Sequence, residues 1–142
     1  MQRLNQRTLR ALWVVLYLAI DVAYVWSSRP VYERAARAVQ GSGMGGKPGV
    51  AAAAVLAYAA LALGWWALVA PAIERDATLA KGAGYGLVYA LAVYGVFNGT
   101  LYVMFKQWDA AITARDMAWG VTCLTAVSAA YAWACKHLSA RA

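Results

Sequence analysis

Four stretches of apolar residues, each about twenty long and nearly free of charge, dominate the chain: residues 11–28, 50–73, 82–105 and 117–137. A helix rises about 1.5 Å per residue, so each stretch is long enough to cross the ~30 Å hydrocarbon core of a bilayer. The pattern predicts an all-α polytopic membrane protein, a four-transmembrane-helix bundle forming one membrane domain over 1–142. Trp13 near one end of the first stretch, and Tyr24 and Trp26 near the other, fit aromatic belts at the two interfaces. Residues 29–40 follow a different rule. Val31, Ala35, Ala38 and Val39 recur at helical spacing while Glu33, Arg34 and Arg37 share another face, which predicts a short amphipathic helix lying on the membrane. Its Arg29, Arg34 and Arg37 are then placed to meet lipid headgroups. Residues 41–49, Gly-Ser-Gly-Met-Gly-Gly-Lys-Pro-Gly, read as a flexible linker.

Composition supports the membrane reading: with 63% hydrophobic and only 13% charged residues, a soluble domain could not hide its apolar surface. The formal charge of +7 would raise the question of nucleic acid in a soluble domain. Here the basic residues flank the spans, where they meet phosphates and set topology, and no nucleic-acid-binding motif accompanies them, so no nucleic-acid partner is expected. Four crossings put both termini on one side. The termini and second loop hold seven Lys/Arg (3, 7, 10, 75, 81, 136, 141) against six in the first and third loops (29, 34, 37, 47, 106, 115), which leans toward cytoplasmic termini. Arg3, Arg7 and Arg10 before an apolar run resemble a signal peptide. Asp21 interrupts that run and no small-x-small site follows, so the segment is expected to stay as the first helix.

Candidate chemistry is sparse. Cys123 and Cys135 lie twelve residues apart on one helix, ~18 Å along its axis, so they cannot bond to each other and read as buried small hydrophobes. No Cys/His ligand spacing exists and His137 is the only histidine, so neither metal nor cofactor is expected. Gly41-x-x-x-x-Gly46-Lys47 begins like a phosphate-binding loop, but Pro48 replaces the required Ser or Thr and no strand precedes it. Asn98-Gly99-Thr100 is a glycosylation sequon, but inside a membrane helix it is out of reach.

Polar residues within the spans are expensive and therefore informative. Asp21 and Asn98 fall at a common depth, and Thr100, Thr122, Arg115 and Asp116 fall in the same half of the bilayer. A polar cluster of these six is expected, serving either to lock helices together or as a ligand or proton site. Asp116, just before the fourth span, is also placed to cap its free N–H groups. The pairs Gly82/Gly86 and Gly95/Gly99 allow close helix approach. At about 100° per residue, residues 86 and 95 lie ~180° apart, so the third span is expected to be central and to contact neighbours on two faces, within this chain or from another protein.

The stretch Tyr94 to Gly120 resembles the signature region of the domain of unknown function 2177 family, small four-span membrane proteins of bacteria, algae and large DNA viruses. Asp21, the Arg29-Pro30-Val31-Tyr32 segment, Phe105-Lys106-x-Trp108 and Asp116-Met117-Ala118-Trp119-Gly120 carry the resemblance over nearly the whole chain. The family usually has Tyr-Asp-Leu-Thr-Asn in the third span; here Gly95 stands for the Asp and Phe97 for the Thr, with Tyr94 and Asn98 kept. The resemblance implies architecture rather than a reaction. No serine–histidine pair, metal set or paired carboxylates is visible, so no catalytic residue is assigned. The glycine faces and interfacial helix fit a non-catalytic packing or scaffold subunit, with other membrane proteins or copies of itself and the lipid bilayer as partners. The alternative is a small transporter or a lipid- or small-molecule-binding protein using the Asp21/Asn98 cluster.

Overall fold

A computed structural model describes residues 5–138; Arg3 and Arg141 of the flanking-charge count lie outside them. Among the described residues there are five helices and no strand: α1 (Gln6–Ser27), α2 (Arg29–Gln40), α3 (Val50–Arg75), α4 (Leu79–Met104) and α5 (Ala110–Leu138). All but α2 are long and apolar enough to cross a membrane. Their starts follow from caps. Asn5 accepts the Arg7 N–H at 2.9 Å to open α1, and Thr78 accepts the Lys81 N–H to open α4. Gly41 closes α2 in the left-handed region, φ 73°, which lets its N–H bond the Arg37 carbonyl.

The last helix begins seven residues before the expected position, because Asp109 supplies the cap: its Oδ1 accepts the Ala111 N–H at 2.8 Å. Asp116 is therefore not a capping residue. It lies almost two turns inside α5 and is buried.

α5 is the most enclosed helix, with Leu124, Tyr131, Ala132 and Ala134 fully buried. α4 lies against it along Gly82 and Gly86. A Cβ on Gly86 would sit 2.6 Å from the Leu124 carbonyl oxygen, and one on Gly82 would sit 2.7 Å from that of Ser128. Only glycine allows the two backbones this close. The other pair does not pack: Gly95 has only Met117 at its edge, and nothing stands within 4 Å of a Cβ on Gly99. Within the chain, α4 thus packs along one glycine seam, and the Gly95/Gly99 pair packs closely against no other helix of the described residues.

The reason is a π-helical turn at Leu91–Gly95. Such a turn takes in one extra residue, which rotates everything after it by ~100° relative to an unbroken α-helix. The rotation swings Tyr94 and Asn98 onto the face that already carries Gly82, Gly86 and Ala90, and all five are buried. Gly95 and Gly99, which an unbroken helix would put on the far side, come round to the flank of that face instead. A second wide turn, Trp65–Val69, precedes Pro71 in α3. Proline has no N–H for the carbonyl four residues back and its ring crowds that carbonyl, so the helix opens there.

One end of the bundle is tied by charge. Glu74 receives Arg10 Nε at 3.0 Å and Nη2 at 2.6 Å, and also the Tyr131 hydroxyl, joining α3, α1 and α5. The other end is looser. No residue of Val50–Gly64 is buried, and Val55, Leu56 and Leu63 are about two-thirds exposed. Val15, Val88 and Val103 are likewise bare, as expected of helices that face lipid rather than water.

Candidate intramembrane binding site

Two buried carboxylates organise the looser end. Asp21 of α1 is 4% exposed, and its Oδ1 accepts the Tyr94 hydroxyl at 3.1 Å and the Trp119 indole N–H at 2.9 Å. Tyr94, having given its proton to Asp21, accepts from Tyr17 at 3.0 Å. Tyr17 stands one turn before Asp21, so both point the same way from α1. Tyr24, one turn further from Tyr17 and Asp21, stacks on Trp119 at 3.9 Å and 7°. The ring of Tyr94 lies over Gly120, where any Cβ would collide with it.

Asp116 of α5 is the second carboxylate. Its Oδ1 accepts the Tyr32 hydroxyl of α2 at 2.5 Å, and its Oδ2 accepts Asn98 Nδ2 of α4 at 2.7 Å. Burial, and then the hydrogen bond to Asp116, push the Tyr32 hydroxyl above its ordinary titration range, so it remains a donor at neutral pH. Asn98 spends its other N–H on the Tyr94 carbonyl at 3.0 Å. Both partners of that amide nitrogen are acceptors, which fixes which end of the side chain is which. The carbonyl end, Oδ1, is left buried without a partner.

Asp21 and Asp116 line one cleft of about 350 Å³ between α1, α3 and α4, whose walls include Tyr32, Tyr58, Tyr94 and Phe97. A neighbouring compartment of about 310 Å³ shares Tyr32, Phe97 and Asp116 and is lined by Asn98 as well. Met44 of the linker borders both. Among the described residues the ion pairs are Arg10–Glu74, Arg29–Glu33 and Lys81–Asp76, so neither carboxylate of the cleft has a cationic partner. Also among the described residues, no group of three His, Cys, Asp or Glu side chains is placed to hold a metal ion.

Of the six residues expected to cluster, three do. Asp116 bonds Asn98 directly, while Asp21 reaches Asn98 only through Tyr94, whose hydroxyl and carbonyl serve the two in turn. Thr100 and Thr122 are exposed on the outside of their helices and are corrected out of the cluster. Arg115 is exposed too. It donates to the neutral hydroxyls of Tyr24 at 3.1 Å and Ser28 at 3.2 Å rather than to a carboxylate. Of the arginines read as headgroup contacts, Arg34 and Arg37 are exposed, whereas Arg29 pairs with Glu33 and covers the Trp26 ring. Cys123 and Cys135 are buried and not joined to each other.

Tyr17 has no place in the sequence reading, and Tyr32, Tyr94 and Trp119 enter it only through the family resemblance, although a signal existed: Tyr17 and Tyr94 stand four residues before Asp21 and Asn98. A hydroxyl one turn from an intramembrane polar group is a ready partner for it. What the site offers chemically is hydrogen-bond acceptors, the two carboxylates and the Asn98 carbonyl.

The family model described as Predicted membrane protein (DUF2177) matches residues 8–134. No curated protein and no solved structure matches the chain.

Proposed function

We propose that this chain, which belongs to the DUF2177 family of predicted membrane proteins, is a non-catalytic multi-pass membrane protein that binds a small amphiphile within the bilayer, as a carrier or transporter would. The cleft carries this reading. A pocket of this size, mostly apolar with a few convergent polar groups, is the usual form of a ligand site, and intramembrane carboxylates mark ligand and ion pathways. The lightly packed half of α3 gives the ligand a lateral route from lipid. A π-helical turn also places Tyr94, and such turns recur at functional sites.

Ala57 lines the cleft from this uncovered half of α3, so Ala57→Trp fills the cleft without entering the core. Protein extracted with its native lipids should carry a near-stoichiometric small molecule by mass spectrometry, reduced about tenfold or more in Ala57→Trp at unchanged helicity. Wild-type protein that carries only partner subunits would favour the second reading, a packing subunit of a larger assembly. That reading has its own support in the Gly95/Gly99 pair, which faces outward with room for another helix.

The small Lys/Arg excess supports cytoplasmic termini. With α1, α3, α4 and α5 all crossing, cysteines introduced at Ser42 and Ala77 should label from opposite sides. Labelling of both from one side would refute four crossings.

A further inference from the structure

We infer that the ligand of this cleft is a protonated amine on an apolar body, its ammonium received by Asp21 and Asp116. This rests on the reading of the cleft as a binding site and names the chemistry it selects.

Apart from the Tyr58 hydroxyl, which also faces Asp21, the donors of the cluster are spent. Tyr17 gives to Tyr94, Tyr94 and Trp119 give to Asp21, Tyr32 gives to Asp116, and both N–H groups of Asn98 are used. What remains is acceptor capacity. A carboxylate offers about four lone-pair sites, and the hydrogen bonds named above occupy two at each aspartate. Asn98 Oδ1 is buried, unpartnered and attached to a side chain with no exposed surface. A ligand that completes this site must donate hydrogen bonds.

Charge selects in the same direction. Two carboxylates removed from water and lacking a cation are strongly unfavourable, and positive charge relieves them. The nearby guanidiniums are engaged elsewhere, Arg115 with Tyr24 and Ser28 and Arg29 with Glu33. A phosphate, carboxylate or ester headgroup would set acceptor against acceptor. A quaternary ammonium would supply charge, and the faces of Tyr32, Tyr58, Tyr94 and Phe97 suit a cation, but it has no N–H for the free lone pairs of Asp21 and Asp116. A primary or secondary ammonium meets both demands, and its apolar body occupies the rest of the cleft.

The test uses the full chain in lipid nanodiscs, with tryptophan fluorescence and melting temperature as readouts and empty discs as the control for partitioning. Octylamine should bind saturably and at least about tenfold tighter than octan-1-ol, with octyltrimethylammonium weaker than octylamine and octanoate showing no saturable binding. Asp21→Asn and Asp116→Asn should each weaken octylamine about tenfold or more, and by a clearly larger factor than octan-1-ol. The comparison of the four probes on the wild-type chain stands whether or not a variant folds. Equal binding of octylamine and octan-1-ol, or of octylamine and octyltrimethylammonium, would overturn the amine assignment and leave the cleft a binding site for something else. So would failure of all four probes while Ala57→Trp still removes a co-purified molecule. Octylamine that binds Ala57→Trp as well as wild type would remove both the assignment and the cleft.

Discussion

Gly86→Leu should prevent recovery of a folded chain, and Gly86→Ala should destabilise it by about 1–3 kcal/mol, whereas Gly99→Ala should change stability by less than about 0.5 kcal/mol. Both glycines lie inside α4, where alanine is intrinsically the better helix former by roughly 0.8–1 kcal/mol. Propensity therefore favours both replacements, and only packing separates them. At Gly86 the new Cβ would stand 2.6 Å from the Leu124 carbonyl and 2.7 Å from the Ser128 side chain. The first is backbone of the most buried helix and cannot swing aside. Accommodating the methyl means prising α4 from α5 along the closest seam in the protein, with Gly82 one turn away in the same contact. At Gly99 nothing lies within 4 Å. Unfolding titration in mixed micelles reads the difference directly, and equal midpoints for Gly86→Ala and Gly99→Ala would contradict the packed seam.

Asp116→Leu should destabilise by about 2–4 kcal/mol and release α2 from the bundle. The substitution orphans the Tyr32 hydroxyl and one N–H of Asn98, each worth roughly 1–3 kcal/mol when left unpaired. The lower half of that range applies because the unfolded chain in lipid also finds partners. Asp116→Asn keeps one acceptor oxygen but sets its own NH₂ against a remaining donor, so its loss should be about half as large. Among the described residues, Tyr32 makes the only hydrogen-bonded link between α2 and α5, so Asp116→Leu should also quicken proteolysis in the 41–49 linker. A leucine variant as stable as the asparagine variant would show that the carboxylate is not tying these helices together.

How much of this was legible beforehand depends on the kind of property involved. The four helices of spanning length, the short amphipathic helix and the glycine linker were readable because apolar content, amphipathic spacing and glycine content are local; a window of twelve to twenty residues contains the whole signal. That Asp21 and Asn98 face inward was also readable, since hydrocarbon punishes an unpaired polar group wherever its neighbours are. The early start of α5 was missed because Asp109 and Asp116 are equally plausible caps, and which one the helix uses depends on where Tyr32 and Asn98 arrive.

What the sequence alone determined was thus the number and length of the helices, the family resemblance and the presence of costly polar groups at one depth. The tertiary structure decided that Asp21 and Asp116 line one cleft, that Tyr94 links Asp21 to Asn98, and that Gly82/Gly86 rather than Gly95/Gly99 makes the seam. Those outcomes hang on rotation about the α4 axis. Angular position accumulates along a helix, so the one residue absorbed by the wide turn at Leu91–Gly95 redirects every side chain after it, and no local composition marks a turn that forms because Tyr94 and Asn98 find their partners only when it does.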